Sequence, residues 1–125
     1  MVRAIGLNSY RFSLEWPRIE PEKGVFSIAM PDHCLAMVQG CRARGLKPVL
    51  TFSHWTVPRW FAAQGGWTAK ESPELFARFC DQAARHLGDG LAFAVTLNVP
   101  NGLLIGRRMV PPLVDRAADG AALGH

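Results

Sequence analysis

Hydrophobic and polar positions along the chain change period several times, and each change predicts an element. Residues 8–13, NSYRFS, alternate polar and aromatic positions before Pro17 and predict a strand. RIEPEKGVFSIAM, with Pro21 and Gly24, predicts a loop. A helix is expected to begin near Met30-Pro31-Asp32, because proline is tolerated in a first turn. Its apolar positions Cys34, Met37, Val38 and Cys41 recur at helical spacing, and Gly45 ends it. Lys47–Ser53 is apolar enough for a parallel strand covered on both faces.

The stretch HWTVPRWFAAQGGWTAKE predicts a long loop. After it Ser72 as N-cap, Pro73 and Glu74 announce a helix running to about Leu87. Leu75, Phe76, Phe79, Cys80, Ala83 and Leu87 form its inner side, and Gly88 stops it. LAFAVTLN is a third strand. LLIGRRMVPP fits a loop or a short helix, and LVDRAADGAALGH holds helix formers around a central glycine. Strand, helix, strand, helix, strand predicts an α/β fold with parallel strands, expected over residues 1–125 as one domain.

Composition narrows the class. The 125 residues are 49% hydrophobic, enough for a real core, with a formal charge of +4 and a pI near 9.4. Lysines and arginines are interleaved with acids; the one compact basic group, Arg42, Arg44 and Lys47, flanks a helix end, where cations are favoured. No nucleic-acid partner is therefore expected. Cys34, Cys41 and Cys80 are odd in number and lack CxxC spacing, which points to reduced, buried thiols. No apolar run reaches the roughly 20 residues of a membrane span, and the N-terminus lacks a signal-peptide pattern. The expectation is a cytoplasmic protein without membrane partners.

The stretch TLNVPN raises the chemical question. An apolar strand delivers side chains to a rim, where catalytic groups of β/α folds sit, but the position after Asn98 is Val99, which neither carries nor transfers charge. YRFSLEWPRIEP, TFSHWTVPRWF, GGW and TLNVPN occur in the order and at about the spacing of glycoside hydrolase family 1. The chain resembles a β-glucosidase of that family over residues 5–101. The resemblance implies a partial (β/α)8 TIM barrel, its three strands matching the second to fourth of eight, completed or covered by self-association. A whole barrel of this type takes about 250 residues.

The family motif reads Thr-x-Asn-Glu-Pro with the glutamate as general acid/base, and Val99 stands at that position. The strands that would carry a sugar-binding glutamine and the nucleophilic glutamate are not among those matched. A retaining glycosidase needs two carboxyl groups about 5–5.5 Å apart, so no catalytic residue is assigned and glycoside hydrolysis by this chain alone is not expected. The resemblance assigns substrate-binding roles to Arg11, His54, Trp55 and Asn98. Arg11 matches the arginine beside the nucleophile. If turned inward and buried, it must recruit another acid, a bound anion or water. Thr56 stands where the family commonly has aspartate. Trp60 and Trp67 offer flat faces to a sugar, although packing a long loop is the commoner use of such residues.

Asp32, His33 and Cys34 are the densest group of ligand-type residues, with His86 and His125 elsewhere. Neighbours on a helix point apart, so no metal site and no cofactor is assigned, although a metal between two subunits stays open. Glu15, Glu20 and Glu22 lie near the first rim, where one of them could replace a lost carboxylate. The expected partners are a β-glucoside or small anion and further copies of the chain in a homo-oligomer. Two alternatives stand beside the glycosidase-like reading. One is a hydrolase of phosphate or carboxyl esters built around Arg11, His54 or an inter-subunit metal; the other is a non-catalytic, self-associating structural fragment.

Overall fold

The computed structural model of the chain describes residues 2–109. Three parallel strands, β1 (Ser9–Ser13), β2 (Lys47–Ser53) and β3 (Phe93–Leu97), lie side by side in chain order. In register, Arg11 stands opposite Val49 and Ser13 opposite Thr51, while Thr51 stands opposite Val95 and Ser53 opposite Leu97. Between β1 and β2 runs a one-turn helix α1 (Trp16–Ile19) and then α2 (Ala29–Ala43). Between β2 and β3 lie a short α3 (Arg59–Ala63) and α4 (Ser72–Leu87), and α5 (Pro100–Met109) follows β3. Parallel strands joined through helices are the pattern expected of β/α units.

Pleat alternation sorts the sheet into two faces. Phe12, Leu50 and Phe52 join Val38 of α2 and Leu75, Phe79, Ala83 and Leu87 of α4 in one core. The opposite face carries Arg11 and Ser13 of β1 with Thr51 and Ser53 of β2, and both β2 residues are buried. That burial matches the expectation of a central strand covered on both sides. Of the stripe read from the chain, α2 buries Cys34, Val38 and Cys41, together with Pro31, and leaves Met37 half-buried. It ends in a Schellman turn: Leu46 N–H donates to Cys41 O (2.9 Å) and Gly45 N–H to Arg42 O (3.0 Å), with Gly45 at φ 69°.

Several boundaries differ from the expectations. The expected loop after β1 is entered through α1, and the long loop after β2 contains α3 and a 3-10 turn at Gly66–Thr68. Helices this short have little stability of their own. They are held by Trp16, fully buried, whose ring lies 4.6 Å from Phe61, 4.9 Å from Phe79 and within 6.2 Å of Trp60 and Trp67. Ser72 is not the N-cap of α4; Glu71 holds that place, and the buried Ser72 hydroxyl donates to Trp67 O at 3.3 Å. Residues 100–109 form a helix, and LVDRAADGAALGH lies outside the described residues.

Candidate functional site

The C-terminal ends of the three strands bring together residues far apart in sequence. Arg11 projects from β1 on the face away from the helices. Its Nε donates to Thr51 Oγ1 (2.7 Å) and its Nη2 to Asn98 Oδ1 (2.7 Å), so one guanidinium spans all three strand ends. Asn98 extends the ladder, its N–H donating to Ser53 O at 2.9 Å. Beyond Arg11 on the same face, Ser13 Oγ lies 2.8 Å from His54 Nδ1. Farther out, Thr56 Oγ1 donates to Glu15 Oε2 at 2.9 Å.

Arg11 faces inward, away from the helices, but differs in two ways from the buried arginine considered from the sequence. Its side chain is exposed, and its partners are a hydroxyl and a carboxamide, not a replacement acid. Glu20 is excluded as that acid by its surroundings. It is fully buried on the helix side, where Oε2 accepts from Trp16 Nε1 (2.9 Å), Oε1 from Gly24 N–H (2.8 Å), and Arg78 closes an ion pair. Glu22 is exposed in the turn that bridges to Val25.

Trp55 and Val99 are the non-glycine residues with positive φ among the described residues, at 87° and 41°. Both lie on the rim, and both flank Gly102 in the first turn of α5. A Cβ at Gly102 would stand 3.4 Å from Val99 Cγ2 and 3.6 Å from Trp55 Cη2. Such backbone conformations cost about 1–3 kcal/mol each and concentrate at functional sites. Val99 is 53% exposed, and its carbonyl accepts from Leu103 N–H at 3.1 Å, so it occupies the cap position of α5 with an apolar side chain on the rim.

The remaining candidates separate from this rim. Trp60 and Trp67 are half-buried packing residues, and Trp60 Nε1 donates to Glu20 O at 2.9 Å. Asp32 Oδ1 lies 2.7 Å from His86 Nε2, clamping α2 to α4, while Cys34 is buried in the core. No group of three metal-ligand side chains occurs among the described residues, and no described helix is long and apolar enough to cross a membrane. An open groove of about 440 Å³ lies between β1 and α2, lined by Tyr10, His33, Met37 and Cys41 among others. None of the rim residues lines it. Thr51 and Ser13 were missed from the sequence. The strand alternation that aligns Arg11 and Ser13 with alternate positions of β2 is the signal that could have found them.

A parallel β/α sheet with polar side chains collected at the C-terminal ends of its strands is the arrangement of part of a β/α barrel. The chain belongs to glycosyl hydrolase family 1, whose model matches residues 1–110. It is 36% identical over 101 residues to a β-glucosidase of Agrobacterium sp., covering 80% of this chain and 22% of that protein. It is 34% identical over 105 residues to the probable inactive β-glucosidase 14 of Oryza sativa subsp. japonica, covering 81% of this chain and 20% of the relative. The crystal structure of β-glycosidase BGL167 superposes with a TM-score of 0.84 and 42% identity, over 98% of this chain and 32% of that one. The chain thus spans about a fifth of the length of these curated relatives, and the fold is a partial (β/α)8 barrel.

Proposed function

We propose that this chain carries part of the sugar-facing rim of a β-glucosidase-type barrel, formed by Arg11, His54, Trp55 and Asn98, without the acid/base group. The observation that carries this reading is Val99. It follows Asn98 at the end of β3, exposed on the rim where the family motif has its glutamate, and a valine can neither protonate a leaving oxygen nor activate water. Glu20 is sealed in the core, so it does not supply the missing carboxyl.

The test uses the purified 125-residue chain with a chromogenic β-glucoside. No turnover is expected from the chain or from Val99→Glu, because one restored carboxyl lacks an opposing partner. Turnover is expected only when Val99→Glu is mixed with the remaining units of a related barrel. Saturation-transfer NMR should show weak glucoside binding that falls with Asn98→Ala. Hydrolysis by the unaided chain overturns the inactive reading, and binding unaffected by Asn98→Ala overturns the rim assignment.

Self-association belongs to the same proposal. β1 and β3 each pair with one strand in the described sheet, and Phe93 on β3 is 64% exposed. Unpaired strand edges and exposed aromatics favour a further chain. Light scattering that shows monomer alone across the micromolar range refutes this part.

One observation favours a second reading, an ester hydrolase. Ser13 Oγ and His54 Nδ1 are within hydrogen-bond distance at an accessible rim, the arrangement of a nucleophile beside a base. An acyl group on Ser13 after exposure to an activated ester, absent in Ser13→Ala, supports it; acylation unchanged by that substitution removes it.

A further inference from the structure

We propose that the cavity enclosed by the loop after α1, by α2 and by α4 is a binding site for a single-ring aromatic alcohol, phenol being the simplest. The cavity holds about 120 Å³. That is too small for a drug-sized ligand, yet close to the roughly 150 Å³ apolar cavity that takes up benzene. Ile19 and Ala83, both almost fully buried, form its floor, and Ile28 and Gln82 stand exposed at its mouth. The rings of Phe26, Pro31 and His86 add flat walls, which suit stacking or edge contact with another ring. All of these walls come from residues 19–86, so the cavity is complete within one stretch of the chain.

Two of the walls are held from outside the cavity. Arg78, itself paired with Glu20, lies over the Phe26 ring at 5.7 Å, and His86 Nε2 lies 2.7 Å from Asp32 Oδ1. A guest therefore meets ordered rings and loses less freedom in ordering them. The Asp32 carboxylate can only accept, so in the neutral imidazole Nε2 carries the hydrogen and Nδ1 is left as an acceptor. The Ser27 hydroxyl lines the same cavity and is a second acceptor. Neither Nδ1 of His86 nor the Ser27 hydroxyl has a partner among the described residues. A ring with one hydroxyl donates to such an acceptor while its carbons are covered by Ile19, Phe26 and Ala83; a plain hydrocarbon ring gains only the second of these. None of the strand-end residues lines this cavity, so the site holds whether or not the rim binds a glucoside.

The experiment titrates phenol and, separately, toluene into the full chain at pH 8, with methyl-labelled isoleucine, alanine and methionine followed by NMR. The Ile28 and Ala83 methyl signals should move saturably with phenol, with a Kd on the order of 1–10 mM for one ring in a site open at its mouth. Toluene keeps the ring and lacks the hydroxyl, and it should bind the same place several-fold more weakly. Ser27→Ala combined with His86→Phe keeps a ring in the wall and removes both acceptors, so phenol should fall to the affinity of toluene. Absence of saturable movement at Ile28 and Ala83 overturns the site, as does larger movement at Met37 in the groove beside β1. Toluene binding as tightly as phenol overturns the assignment to an alcohol. Both of these readings come from the unsubstituted chain, so they decide the matter even if the variant fails to fold.

Discussion

Trp16 Nε1 donates to Glu20 Oε2 across 2.9 Å, one helical turn apart and with both side chains fully buried. This bond makes Glu20 an anchor for the loop that follows α1. The same carboxylate takes Gly24 N–H and the Arg78 guanidinium of α4, and the Glu20 carbonyl takes Trp60 Nε1. Arg78 also covers the Phe26 ring at 5.7 Å. A loop without regular structure is thus tied to two helices through one acid.

Glu20→Leu should be strongly destabilising. It strands the Trp16 and Gly24 donors and removes the acid from Arg78, a change that costs about 3 kcal/mol or more. Glu20→Gln keeps an acceptor oxygen and should cost about 1–3 kcal/mol. Urea unfolding monitored by tryptophan fluorescence checks the order, and a Glu20→Leu variant as stable as the parent contradicts the anchor.

Gly90 lies against α2 so closely that a Cβ there would stand 2.6 Å from Val38 Cγ1. Gly90→Ala is expected to destabilise by about 1–3 kcal/mol through overpacking. Val38→Ala opens space beside it, so the double variant should be more stable than the sum of the single losses. Strict additivity in denaturant midpoints would mean that the two sites do not touch.

Burial pushes the Cys80 thiol up to about 12 from its ordinary 9.0, and burial also raises Cys34. Below pH 9 the folded and unfolded chains both hold the Cys80 proton. Above it the unfolded chain releases the proton first, so stability falls as pH rises from about 9 towards 12. Urea midpoints between pH 8 and pH 10.5 should decline, and Cys80→Ala should flatten part of that decline. Iodoacetamide at pH 8 should label Cys80 much more slowly in the folded chain than in urea.

Val99 holds φ 41° with a β-branched side chain, half exposed, so little packing is lost on replacing it. Val99→Asn should stabilise by about 1 kcal/mol, because asparagine enters the left-handed region more readily and caps a helix well. Thermal unfolding measures it; a loss of stability would show that the valine packs usefully against its rim neighbours.

Much of the architecture was legible in local pattern. The bounds of β2, the buried stripe of α2 and the stop at Gly45 follow from periods of two and 3.6 and from a glycine that turns left-handed, all properties of a few consecutive residues. The family motifs and the valine in TLNVPN were also open to reading, since they depend on order alone. The short helices α1 and α3 were not, because burial of Trp16, Phe61 and their neighbours stabilises them more than local propensity does. Nor were the partners of Arg11, which lie 40 and 87 positions away, or the pairing of Arg78 with Glu20 across 58. The contacts of Arg11 depend on strand register, and a slip of one residue would turn Arg11 from the open face into the core; the Arg78–Glu20 pair depends on the packing of α4 against the loop after α1. Sequence determined which residues were available; only the packed sheet and helices decided that Arg11 meets two neutral acceptors and that Glu20 serves the core.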